Sequence, residues 1–171
     1  MKILNFGSLN IDNVYKVDKF LLPGETKSSL GFSKNCGGKG LNQSIAAAKA
    51  GNEVVHAAML GNDGQMLVDA LNDNGVDTTP IKAIDEASGH AIIQVDENGQ
   101  NCILLYGGTN QMLTEELLGQ YSLLNSVQSW KQLCYYVRRN PVALFVFRGR
   151  TLCIALPLEP QKYAETKYRG L

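Results

Sequence analysis

A chain of 171 residues, with 44% hydrophobic and 19% charged residues, has the make-up of a globular protein of about one domain. Its 16 basic and 16 acidic side chains cancel, which gives no reason to expect nucleic acid or an anionic membrane as partner. Cys36, Cys102, Cys134 and Cys153 contain no C-x-x-C pair, and His56 and His90 are the only histidines, so neither a zinc cluster nor a disulfide framework is expected.

The opening MKILNF reads as a short buried strand that ends at Gly7; it is too short and too polar to be a signal sequence. NVYKVDKF (13–20) alternates and reads as a strand with one wet face. LPGET follows as a turn, with Pro23-Gly24 suited to type II geometry. SLGFSKN (29–35) then returns as a strand. The alanine-rich LNQSIAAAKAG (41–51) predicts a helix with Gly51 as its C-terminal cap. EVVHAAML (53–60) is a second core strand, in which His56 is a packed or edge residue. DGQMLVDALNDNG (63–75) is an amphipathic helix with Met66, Leu67, Ala70 and Leu71 on one side. HAIIQV and QNCILLY flank DENG and predict a hairpin around Asn98-Gly99. His90 in that hairpin could approach a ligand.

Strands that alternate with helices imply an α/β fold with a mostly parallel sheet flanked by helices. The two hairpin-like excursions fall outside that repeat and suggest a small separate sheet, a β-lid. After Glu116 the pattern changes. Residues 1–116 carry 8 Lys, no Arg and 14 acids, whereas 117–171 carry 3 Lys, 5 Arg and 2 acids. Residues 117–139 have some helical character, and the rest mixes β-rich pieces with basic residues and proline. The run VALFVFRGRTLCIALPL holds Arg148 and Arg150 at its centre, which argues against a membrane span. The expected compartment is the cytoplasm.

NCGGKGLNQS (35–44) poses the functional question. It is not a P-loop: Ser33 stands where the first glycine is needed and Gly40 where Ser or Thr is needed. It is not a dinucleotide fingerprint either, because Gln43 replaces the third glycine. Bare glycine backbone before a helix still favours a ligand. Lys39 and Asn42, three apart, share one face of the first turn. Asn10 and Asp12 lie past the end of the first strand, where open α/β sheets bind ligands. Two apart on extended chain, they point to one side. A carboxylate that accepts from neighbouring hydroxyls suits a sugar.

GSLNID, PGET, GGKGLNQSIAAAKAG, LGNDGQ and NGV, in this order and spacing, resemble the N-terminal part of the ribokinase branch of the PfkB carbohydrate kinases. The resemblance runs from Lys2 to about Glu116. It implies a ribokinase-like fold, truncated relative to the family, with lid segments of about 13–35 and 89–107. It implies that Asn10 and Asp12 bind sugar hydroxyls, that Gly37, Gly38, Lys39 and Asn42 form the second sugar-contacting motif, and that Ala91 and Ile93 are apolar lid contacts. It further implies ATP-dependent phosphorylation of a sugar, with ribose to ribose 5-phosphate as the expected reaction, Mg²⁺ and a monovalent cation such as K⁺, and a homodimer paired through the β-lid.

The family's Asn-x-x-Glu and Gly-Ala-Gly-Asp motifs, which carry phosphate, metal and the catalytic base, do not occur in these 171 residues. The chain is therefore expected to lack a catalytic residue and to be inactive by itself. The alternative is a non-catalytic sugar-binding or lid-dimerising fragment. Residues 117–171 read as a non-matching tail: translated from a changed reading frame, another unrelated extension, or disordered.

Overall fold

The structure is a computed structural model that describes residues 2–112, 143–146 and 151–155. The expected helical character of 117–139 lies outside the described residues. The main sheet contains β1 (Lys2–Phe6), β4 (Glu53–Ala57), β6 (Val76–Asp77), β10 (Ala143–Val146) and β11 (Thr151–Ala155). Their order is β10-β11-β1-β4-β6. All neighbours are parallel except β10 with β11. Both late strands arise in the β-rich stretch after 140, and β11 runs directly beside β1, Lys2 opposite Thr151.

The two excursions form one four-stranded sheet. It holds β2 (Asn10–Lys16), β3 (Gly31–Gly37), β8 (His90–Val95) and β9 (Asn101–Tyr106), in the order β3-β2-β8-β9. β2 starts three residues before the expected strand, so Asn10 and Asp12 belong to this sheet and not to the loop after β1. The turn between β2 and β3 has the expected form: Glu25 N–H donates to Leu22 O at 3.0 Å, and Gly24 has φ 82, as type II requires at its third position. The hairpin of β8 and β9 closes through Asp96, whose carboxylate accepts from Asn98 and Gln100 N–H.

Helix α1 (Lys39–Lys49) ends as its sequence predicts. Gly51 N–H donates to Ala48 O and Asn52 N–H to Ala47 O, with Gly51 at φ 83; this is the paired bonding of a Schellman terminus. Helix α2 (Gln65–Asn72) buries Leu67 and Leu71 completely. The stretch 53–60, read as one strand, is two: after β4 the chain turns, and β5 (Met59–Gly61) pairs with β7 (Lys82–Ile84) in a separate two-stranded sheet. Ala57 and Ala58 are both buried although adjacent. The break at Ala58 lets the two halves take different partners, β4 pairing with β1 and β6, and β5 with β7.

The core joins these layers. Ile3, Val54 and Val76 come from the main sheet, Leu41, Leu67 and Leu71 from the helices, Leu60 from β5, and Leu9 and Ile11 from the base of the lid. Ile11 anchors the lid. Because its side chain enters the core, Asn10 and Asp12 on either side must face the other way. No helix among the described residues is long and apolar enough to cross a membrane.

Candidate sugar site

One face of the lid sheet gathers five of the predicted positions. Asn10 pairs with Gly37 across β2 and β3, and Asp12 pairs with Ala91 across β2 and β8. Residues paired in register share a face. Asn10 therefore stands between Gly37 and Gly89, and Asp12 between Asn35 and Ala91. Ile93 pairs with Val14 on the same face, one repeat farther out along the lid.

Each glycine of the 37–40 stretch has its own reason. A Cβ on Gly37 would collide with the Asp12 carboxylate. Gly38 takes φ 99, and a Cβ there would lie 2.5 Å from Ser8 O and 2.9 Å from Asn10 N. Gly40 meets the backbone of Gly7, so neither tolerates a side chain. This contact seats α1 on the loop after β1, where Leu41 N–H donates to Ser8 O. No side chain caps the helix at Gly38. Lys39 and Asn42 lie in its first turn, both exposed.

A buried polar chain holds α1 from below. Gly7 O can only accept, so His56 Nε2 carries the proton and donates to it at 3.2 Å. His56 Nδ1 then accepts from Ser44 Oγ at 2.7 Å. Ser44 Oγ accepts from Asn5 Nδ2 at 2.8 Å, and Asn5 Nδ2 also donates to Gly40 O at 2.9 Å. Burial lowers the His56 pKa to about 4, which keeps the ring neutral as this bonding demands. His56 is thus a packed residue, as expected.

Asp12 is half-buried, and desolvation raises its pKa above the usual carboxylate value. No protein hydrogen bond or cation among the described residues serves its carboxylate. It is a partly dehydrated acceptor held over bare backbone. His90 stacks beside Tyr106, ring centroids 5.0 Å apart, and Nδ1 bonds Ser88 O. It sits one residue out of phase with Ala91 and so faces away from Asp12.

Sequence reasoning missed Asn110 and Gly89. Asn110 is buried in the 3-10 turn η1 (Gly108–Met112) and bonds Leu9 and Asn10. A polar side chain in GGTNQ reads as loop, and only the three-dimensional contact marks it out. Among the described residues no group of His, Cys, Asp or Glu could hold a metal ion.

The family model for pfkB family carbohydrate kinases matches residues 1–132. The bifunctional ribokinase/ribose-5-phosphate isomerase A of Fructilactobacillus sanfranciscensis is 41% identical over 117 residues, covering 66% of this chain and 22% of that protein. The ribokinase of Haemophilus influenzae is 38% identical over 117 residues, covering 67% of this chain and 38% of that protein. Among solved structures, Arabidopsis thaliana ribokinase complexed with ribose and ATP superposes with a TM-score of 0.61 at 29% identity, covering 80% of this chain and 42% of that one. The chain spans well under half the length of these curated relatives.

Proposed function

This chain belongs to the PfkB family of carbohydrate kinases, and we propose that it forms the sugar-holding part of an ATP-dependent sugar kinase of the cytoplasm. Ribose is the sugar, and its 5-hydroxyl is the acceptor. The observation that carries this reading is the placement of Asn10 and Asp12 on one lid face over Gly37, Gly38 and Ala91. Asp12 accepts from sugar hydroxyls, and its partial dehydration strengthens those bonds. Lys39 and Asn42 add donors from the first turn of α1, and Ile93 gives an apolar contact farther out. Relatives that are ribokinases, and the ribose and ATP held by the Arabidopsis protein, support this choice of substrates.

Phosphoryl transfer needs a base for the attacking hydroxyl and donors for the transferring group. The family motifs that supply them do not occur in this sequence. The chain alone therefore binds ribose and does not turn it over. Calorimetry with ribose should show binding that Asp12→Asn abolishes. A coupled assay should show no ribose-dependent ADP formation by the 171-residue chain; if it does, the claim of inactivity is lost.

A second reading concerns the lid as a pairing surface. Phe32, Ile92, Leu104 and Tyr106 are exposed, and register places them on the face opposite Asp12. Such a patch suits a second copy of the lid.

A further inference from the structure

Asn110 is only 5% exposed, yet it bonds a strand a hundred positions away in sequence. Its amide orientation follows from its partners. Leu9 N–H can only donate, and it meets Asn110 Oδ1 at 2.9 Å. Leu9 O can only accept, and it meets Asn110 Nδ2 at 3.1 Å. The second Nδ2 hydrogen reaches the Asn10 side chain at 2.7 Å. That atom must accept, so it is Asn10 Oδ1. Asn10 Nδ2 is left pointing away from Asn110, with no protein partner among the described residues. Gly89 lies beneath this pair. A Cβ there would strike Asn110 Nδ2 and come within 2.6 Å of Asn10 Oδ1.

We infer that Asn110 is a positioning residue: it holds Asn10 with its NH₂ group toward the ligand, so that the lid face presents a donor, Asn10, beside an acceptor, Asp12. This rests on the sugar-binding reading above. A group that meets both side chains must accept from Asn10 and donate to Asp12. A hydroxyl does both. An ammonium group cannot accept, and an ether or carbonyl oxygen cannot donate. The pair thus selects a hydroxyl and fixes the direction of its hydrogen.

The test uses the ¹⁵N-labelled 171-residue chain. The Asn10 NH₂ signals are identified by their loss in Asn10→Asp. In the parent chain the Asn110 NH₂ should exchange slowly, while the Asn10 NH₂ exchanges fast and shifts when ribose is added. Asn110→Asp keeps the acceptor for Leu9 N–H but places a carboxylate oxygen where Nδ2 stood. The Asn10 amide should then turn over to donate to it, become protected, and stop responding to ribose. Ribose affinity should fall by at least about tenfold. Gly89→Ala should disturb the same Asn10 signals from the other strand, with Asn110 intact.

Asn10 signals unchanged in both variants, or full ribose affinity in Asn110→Asp, would overturn the inference. If the parent chain does not bind ribose, the sugar reading fails, and the amide signals still decide whether Asn110 orients Asn10. Should neither variant fold, the parent chain decides: a protected Asn10 NH₂ with an open Asn110 NH₂ overturns it.

Discussion

Among the described residues the Asp12 carboxylate is unpaired and partly dehydrated, in a place where a ligand would satisfy it. That arrangement has a stability cost. A carboxyl whose pKa is higher folded than unfolded binds its proton more readily in the folded state. Stability therefore falls as pH rises through the interval between the two values, and the penalty persists at neutral pH. Asp12→Asn removes it. The expected result is a variant that no longer binds ribose yet melts about 1 °C or more higher at pH 7. The difference should shrink at pH 3.5, where the parent carboxyl is largely protonated. A lower melting temperature at pH 7 would mean that Asp12 has a structural partner. His56 has the opposite sense. Its pKa of about 4 lies below the ordinary 6.5, so its contribution is complete above pH 6.5 and is lost as pH falls from 6.5 toward 4. The unfolded state gains the proton first, which costs about 3 kcal/mol over that range. Melting temperatures between pH 7.5 and 4.5 should drop steeply in the parent chain and less in His56→Gln, where nothing at that position titrates.

At the scale of elements, the approach of α1 to the loop after β1 decides where the site lies. Gly7 and Gly40 touch backbone to backbone, and Asn5, Ser44 and His56 tie the helix to β1 and β4 beneath them. Gly40→Ala must push these backbones apart. It should destabilise by about 2–3 kcal/mol and weaken ribose binding, because Lys39 and Asn42 move with the helix. Gly51→Ala, at the far end of α1, should cost stability through its positive φ but leave ribose affinity alone. Urea melts and calorimetry on both variants separate the two effects. This geometry was only partly legible in the sequence. The ends of α1, the lid hairpins and the shared face of Asn10 and Asp12 follow from glycine placement and period-2 alternation, which act over a few residues. The splitting of 53–60 into β4 and β5 does not follow, because an unbroken apolar run carries no sign of where its partner strand changes. Asn110 was equally hidden: its role depends on a contact with Leu9 and Asn10, and no local pattern encodes it.

At the scale of the whole molecule, the lid sheet is the part least covered by the rest of the described chain. Its base is fixed by Ile11 and Leu9 in the core, but Phe32 and Leu104 are 56% and 68% exposed on the face opposite Asp12. Tyr15 leans on Phe32, ring centroids 5.0 Å apart, and Ile92 pairs with Leu104, so this face carries two apolar pairs. Leaving it in water is unfavourable by roughly 25 cal/mol per Å², and burying it against a second lid removes that cost. Leu104→Lys places a charge at its most exposed point. Two facing lids would then bring two lysines into a desolvated contact, where like charges repel. In sedimentation velocity at micromolar concentration the parent chain should run as a dimer and Leu104→Lys as a monomer. Ribose affinity should be unchanged in the variant, because Leu104 lies on the face opposite Asp12 and Ala91. If the variant stays dimeric, the lids pair through another surface. If it becomes monomeric and loses ribose as well, the second subunit completes the sugar site, and binding should then depend on protein concentration in the parent chain.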